Sequence, residues 1–199
     1  MVSRALSEEE KNKDISVHLI GYDGIALIVN KENPITNLST KDIQNLYSGK
    51  TTNWKELNGN NQEIILIAKR DNHSTRELFD VYFNINKLSI NADFVGANIE
   101  GIVMVALEKN AITYVSIGTA LKAIQSGANI KILNLNDIPA TLYGKLNTSY
   151  PFVRHLNLIT KVKIDKKIKD IISTIYSDVG KEIIINQRFI PYNRIHDVK

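Results

Sequence analysis

No cysteine occurs among the 199 residues. Disulfides, thiolate metal sites and cysteine nucleophiles are therefore excluded, and the chain is compatible with an oxidising compartment. No apolar run approaches the roughly 20 residues needed to span a bilayer. The first ten residues (MVSRALSEEE) lack the apolar core of a secretory signal, so the chain is expected either to stay inside or to have had its signal removed. The four histidines, His18, His73, His155 and His196, fall in no H-x-x-x-H or H-E-x-x-H spacing, and no metal site is expected. There is no G-x-G-x-x-G, no Walker A loop and no G-x-S-x-G elbow, so nucleotide binding and serine hydrolysis lack their usual parts. His73 beside Ser74 is not a dyad signature, because neighbours on a turn rarely face one another and no orienting carboxylate can be assigned. Nothing selects a pair of carboxylates for acid and base work. Binding without chemistry, and without a cofactor, is the expectation.

What is present is an ordinary globular composition, 43% hydrophobic and 23% charged, long enough for one large domain or two small lobes. The net charge is +4 and the pI near 9.1, yet acidic residues lie between the basic ones along the chain. Only residues 161–169 (KVKIDKKIK) cluster. They enter a helix capped by Asp165, in which Ile168, Ile171, Ile172 and Ile175 form a stripe expected to be buried, with the lysines on the solvated face. No aromatic residues interleave with these lysines, so nucleic acid is not an expected partner.

Secondary-structure signals alternate. Ser7 and Glu10 offer a capping box for a short first helix. Residues 17–30 (VHLIGYDGIALIVN) read as extended, ending at Asn33 and Pro34. Residues 39–47 read as an amphipathic helix burying Ile43, Leu46 and Tyr47, with Gly49 as its stop. A loop over 51–61 carries Trp54, the only tryptophan. A helix over 98–109 is expected to turn Ile99, Ile102, Val103 and Ala106 inward. Residues 111–117, 130–135 and 156–160 read as strands, and helices over 165–177 and 178–187 follow. Strands alternating with helices predict an α/β fold with mostly parallel sheets.

The chemistry concentrates at residues 69–78 (KRDNHSTREL). The nearly continuous apolar run 63–68 (EIILIA) predicts a strand covered on both faces, and a polar turn leads from it straight into a helix. Ser74 and Glu77 fit a capping box, S-x-x-E, with Ser74 as N-cap. The positive end of such a helix suits an oxyanion. Arg70 and Arg76 flank the hydroxyls of Ser74 and Thr75, offering planar charged forks beside neutral donors.

Five ordered segments together resemble one family, the substrate-binding proteins of phosphate ABC transporters, which are type 2 periplasmic binding proteins. Residues 23–34 (DGIALIVNKENP) resemble its D-G-I-A-x-I-V-N-x-x-N-P strand and turn. Residues 38–57 (LSTKDIQNLYSGKTTNWKEL) resemble its L-x-x-x-x-L-x-x-I-Y-S-G-K-I-x-N-W segment, the most specific match. Residues 110–118 (NAITYVSIG), 150–160 (YPFVRHLNLIT) and 189–191 (FIP) resemble its G-A-I-G-Y-V-S-x-G, Y-P-x-x-R-x-L-Y-x-Y-T and G-Y-I-P-L segments. Residues 70–76 (RDNHSTR) stand where the family has R-x-x-G-S-G-T-R. If the glycine between serine and threonine is deleted, Arg70, Ser74, Thr75 and Arg76 keep their counterparts; if nothing is deleted, His73 replaces the serine and Ser74 the glycine. Residues 1–5 (MVSRA) resemble the family's later A-S-R segment, which marks Ser3 and Arg4 as ligand contacts.

The resemblance implies two α/β lobes joined by two crossing strands near Asn30 and Val115. One lobe, residues 31–115, is expected to be complete. The other, residues 1–30 plus 116–199, is expected to lack the family's first strand, loop and helix, leaving open strand edges and apolar surface that favour self-association. The implied function is extracytoplasmic and non-enzymatic, holding inorganic phosphate or a similar oxyanion between the lobes and passing it to an ABC permease. Arg70, His73, Ser74, Thr75 and Arg76 would form the ligand loop, with Asp71 or neutral His73 accepting the proton that phosphate keeps near neutral pH. The competing expectation is a truncated member that has lost transport binding and serves as a partner-binding or scaffold module.

Overall fold

Residues 8–11, 14–71 and 73–192 are described in the computed structural model. Ser3, Arg4, Ser7, Asn72 and His196 lie outside the described residues. After α1 (Glu8–Lys11) comes β1 (Ile15–Asn30), a strand of 16 residues that is buried without interruption from Asp23 onward. The short β2 (Asn37–Leu38) leads into α2 (Thr40–Tyr47), whose start is a reciprocal cap. Asp42 N donates to Ser39 Oγ at 3.1 Å, and the Asp42 carboxylate accepts from Ser39 N at 2.8 Å. As expected, α2 buries Ile43, Leu46 and Tyr47. Gly49 ends it at φ +76°, in the left-handed region, donating to Leu46 O at 3.0 Å. The loop that follows contains a 3-10 turn, Trp54–Leu57, and the buried Trp54 donates from Nε1 to Asn110 O at 2.9 Å.

Three strand and helix pairs come next: β3 (Ile65–Lys69) and α3 (Ser74–Tyr82), β4 (Asp93–Val95) and α4 (Asn98–Leu107), β5 (Ala111–Ser116) and α5 (Ile117–Gln125). Then follow β6 (Ile130–Ile132), β7 (Asn134–Leu135) and a hairpin of β8 (Thr141–Leu142) and β9 (Lys145–Leu146) turned through Tyr143 and Gly144. The chain ends in β10 (Val153–Lys161), α6 (Lys166–Tyr176), α7 (Asp178–Asn186) and β11 (Ile190–Pro191).

These elements divide into two compact units, Gly24–Phe152 and the combination of Met1–Asp23 with Val153–Lys199. The boundaries differ from the expected 30 and 115. Residues beyond 115 stay with the larger unit because β6 pairs with Ile28 to Asn30 of β1, and β7 pairs with β2. In the larger unit β3 lies parallel to both β4 and β5, but β1 runs antiparallel to β5 and β6. The sheet is therefore mixed, whereas helix and strand alternation alone predicts a mostly parallel one. One face packs Ile28, Ile67 and Val115 against Ile102 and Val105 of α4. Tyr114 points to the other face, where its ring stacks on Phe79 at a centroid distance of 3.8 Å.

The face α4 buries is also shifted. Gly101, Ile102 and Val105 are buried, while Ile99 and Val103 are 58% and 48% exposed. The helix is apolar around most of its circumference, so its pattern does not single out one stripe.

In the smaller unit β1 pairs with β10 and, at Gly21 and Tyr22, with β11. Its core is thin: Leu156 is its only buried large aliphatic residue among those described. The α6 stripe expected to be buried is not, with Ile168 and Ile171 exposed and Ile172 and Ile175 half-buried. Where α7 meets α6 the approach is close, since a Cβ on Gly180 would collide with the backbone carbonyl oxygens of Thr174 and Ile175. Gly180→Ala is expected to cost about 1–3 kcal/mol by overpacking, read as a lowered urea midpoint at unchanged slope.

Candidate functional site

Because β3, β4 and β5 are parallel, their carboxyl ends share one edge of the sheet, and α3, α4 and α5 all start there. In open α/β sheets this is the edge at which ligands bind. The predicted anion turn lies on it. The strand ladder ends where Arg70 N donates to Val95 O at 3.1 Å, and α3 begins at Ser74.

The cap of α3 is His73, one residue earlier than the predicted capping box. His73 is extended (φ −92°, ψ 123°), and Thr75 N donates to its Nδ1 across a long 3.4 Å. Arg76 N and Glu77 N both donate to His73 O, at 2.8 and 3.1 Å, so the first turn closes on His73. Ser74 is thereby the first helical residue, and Glu77 lies one place too far along to reach back as a box partner. Thr75 is buried and Ser74 half-buried.

The two arginines have different surroundings. Arg70 is exposed, with Glu100 near enough that its charge helps hold the Glu100 carboxyl down. Arg76 is turned inward with its side chain 11% exposed. Its Nε donates to Asp80 Oδ2, and its Nη1 donates to Lys69 O at 2.9 Å and pairs with Asp71 Oδ1 at 3.5 Å. Burial pushes the Asp80 carboxyl up, against the pull of Arg76, and Asp80 Oδ1 is buried with no hydrogen-bond partner among the described residues. Arg76 therefore ties the turn to the end of β3.

At the head of α4, the Glu100 carboxylate accepts from Gly96 N at 2.7 Å and Ala97 N at 3.4 Å, and these bonds lower its pKa. Asn98 Nδ2 donates to Thr119 Oγ1 of α5 at 3.4 Å, and Asn98 Oδ1 is buried with no hydrogen-bond donor among the described residues. Beneath them lies Lys69, fully buried, its Nζ donating to Ala97 O at 2.8 Å. Burial lowers its pKa to about 8, with Glu100 partly opposing the shift. Along the chain Lys69 stands as the first polar residue after the apolar run. Its signal was strand period, which sets it on the same face as Ile65 and Ile67.

Other features of the larger unit are less suited to anions. A cavity of about 430 Å³ opens near Ile65 and Leu66, at the amino end of β3, but Glu63 and Asp93 line it and, among the described residues, no basic one does. In the smaller unit, His18 meets Thr160 Oγ1 at 3.0 Å and His155 packs edge-on against Tyr22. Among the described residues no three His, Asp or Glu side chains gather to hold a metal, and no helix is long and apolar enough to cross a membrane.

The sequence matches the family described as the PBP superfamily domain over residues 1–177. The chain belongs to the PBP superfamily. Within it, the phosphate-binding protein PstS of Borreliella burgdorferi is 29% identical over 197 residues, covering 94% of this chain and 70% of its own length. A Clostridium perfringens protein described as a phosphate ABC transporter substrate-binding protein, solved with bound phosphate, is 30% identical with a TM-score of 0.84. The match covers 95% of this chain and 76% of that one. An ABC-type phosphate transport receptor from Vibrio cholerae is 25% identical with a TM-score of 0.78, covering 94% and 77%. The type 2 periplasmic-binding-protein-like α/β fold expected from the sequence is the fold these PBP-superfamily structures share.

Proposed function

We propose that this chain is an extracytoplasmic substrate-binding protein for inorganic phosphate, which it delivers to the permease of an ABC transporter. The observation that carries the reading is the turn 70–76 at the carboxyl edge of β3, β4 and β5. It places two hydroxyls and an exposed arginine at the positive end of α3, in a chain whose relatives are named as phosphate-binding proteins. Ser74 and Thr75 would donate to phosphate oxygens, Arg70 would balance charge, and the long Thr75 N bond to His73 is the contact an anion can displace most cheaply. Arg76 would hold the turn in shape. Asp71, whose side chain is 85% exposed, would accept the proton that distinguishes phosphate from sulfate near neutral pH, with His73 as the other acceptor on the turn. The role is binding, not turnover.

The test is thermal unfolding with phosphate, sulfate and arsenate titrated separately. Phosphate at 100 times its dissociation constant should stabilise the chain by about 2.7 kcal/mol. A shift with none of the three would leave the second reading, a partner-binding module. The exposed Ile168 and Ile171 on α6 favour that reading. Sedimentation velocity on the same sample would then show a concentration-dependent dimer.

A further inference from the structure

The charge of this chain is gathered in one place. Residues 161–169 carry five lysines and one aspartate, a net +4 that equals the net charge of all 199 residues, so the rest of the chain balances to zero. The single acid, Asp165, is engaged by the helix it opens, accepting from Ile168 N at 2.9 Å as the cap of α6. The same helix holds the isoleucine stripe, with Ile171 56% and Ile168 36% exposed and Ile172 and Ile175 half-buried. At about 100° per residue, the four isoleucines fall within one sector of roughly 100°. Lys167 and Lys169, both exposed, stand on either side of that sector, and Lys166 and Asp170 lie opposite it. Lys161, Val162 and Lys163, all exposed, lead into the same end of the helix. On α7, Asp178 pairs with Lys181 at 3.6 Å and Glu182 is exposed, so the positive charge belongs to α6 and its lead-in.

We infer that α6 is an interfacial helix that docks this chain on an anionic lipid surface, with Ile168 and Ile171 entering the headgroup layer and Lys167 and Lys169 reaching the lipid phosphates from its two sides. The helix lies on such a surface and does not span it, since it has 11 residues against the roughly 20 that crossing needs. The role goes beyond phosphate binding and does not rest on it.

Composition separates lipid from a protein partner. Protein interfaces are enriched in Trp, Tyr, Phe and Arg and depleted in Lys. Residues 161–186 contain no Trp, Phe or Arg, and their one aromatic residue, Tyr176, is half-buried with its hydroxyl donating to Leu19 O at 3.0 Å. What the face offers is aliphatic area edged by ammonium groups. A fluid headgroup layer needs only that, because it adapts its shape to the helix and attracts each lysine through the negative surface potential.

Co-sedimentation of the full chain with vesicles tests this, using an equal mixture of phosphatidylglycerol and phosphatidylcholine beside phosphatidylcholine alone. The wild type should pellet with the mixed vesicles at low salt and stay in solution with phosphatidylcholine. Raising the salt to about 1 M, where charges are screened beyond about 3 Å, should weaken binding at least tenfold. Lys167→Gln with Lys169→Gln should weaken it about thirtyfold, at about fivefold for each lysine. Ile168→Ser with Ile171→Ser should weaken it about tenfold or more. All four positions are exposed, so the circular dichroism of both double variants should match the wild type. Wild-type protein that stays in solution with both vesicles, or pellets equally with both, would overturn the inference. So would binding to mixed vesicles that the serine variant leaves unchanged, since that is adsorption by charge alone. A dimer in sedimentation velocity that the serine variant abolishes, with the mixed vesicles unbound, would give the face to a second copy of this chain instead. Should the serine variant fail to fold, the wild type on the two vesicles and the glutamine variant decide.

Discussion

Arg70→Ala and Arg76→Ala are expected to fail in different ways. Arg76→Ala should lose about 2–4 kcal/mol of stability, because it leaves the Asp80 carboxylate desolvated with neither oxygen satisfied by Arg76. It also frees the turn from Lys69 O, so phosphate affinity should fall as a consequence of lost shape. Arg70→Ala removes an exposed side chain and should change stability by no more than about 0.5 kcal/mol. Its phosphate Kd should nevertheless rise about 10- to 100-fold, the effect of one charge-assisted contact of roughly 1.5–3 kcal/mol. Urea unfolding and phosphate calorimetry on the two variants give the four numbers. Full stability in Arg76→Ala combined with lost binding would make Arg76 a ligand instead of an anchor.

Asp23→Ala should have an effect of similar size on the smaller unit. Asp23 is fully buried at the end of that unit's part of β1, and its Oδ2 accepts from both Nε and Nη2 of Arg154 on β10, at 3.0 and 2.7 Å. With side-chain exposures of 1% and 11%, removing the acid takes from a nearly buried guanidinium the carboxylate that accepts two of its hydrogen bonds, a loss of about 3–5 kcal/mol. The smaller unit has little else to lean on, since Leu156 is its only buried large aliphatic residue among those described. Native-state hydrogen exchange should therefore show the amides of β10 losing protection while those of β3 and β5 keep theirs. Retained protection in β10 would mean that strand pairing, not this ion pair, holds the unit.

The elements that local pattern specifies strongly were legible in advance. The buried face and the stop of α2 are written in Ile43, Leu46, Tyr47 and Gly49, and the apolar run before Arg70 does form a strand covered on both faces. The polar strand-to-helix turn at 70–76 was legible because hydroxyls, arginines and a helix start are adjacent in the chain. What failed depended on neighbours remote in sequence. The α4 pattern admits more than one apolar stripe, and packing against β5 selected the one with Ile102 and Val105. The α6 stripe has the period of a buried face, but burial also needs a second surface, and the described elements of its unit cover only part of it, leaving Ile168 and Ile171 exposed and Ile172 and Ile175 half-buried. The cap of α3 moved by one residue because His73, not Ser74, received the backbone bonds of the first turn.

The amino-acid sequence by itself determined which chemistry is open to this protein: no thiols, no nucleotide loop, and a polar turn of hydroxyls and arginines after a buried strand. Tertiary structure decided what each charge does. Arg70 and Arg76 look equivalent along the chain, yet Asp80 and Lys69 O draw one inward while the other stays in water. Lys69 looks like the first polar residue of a turn, yet α4 and β5 enclose it and lower its hold on its proton. The physical reason is common to both. Periodicity and capping act over a few neighbouring residues, whereas desolvation and ion pairing depend on which distant segments the sheet brings to its carboxyl edge.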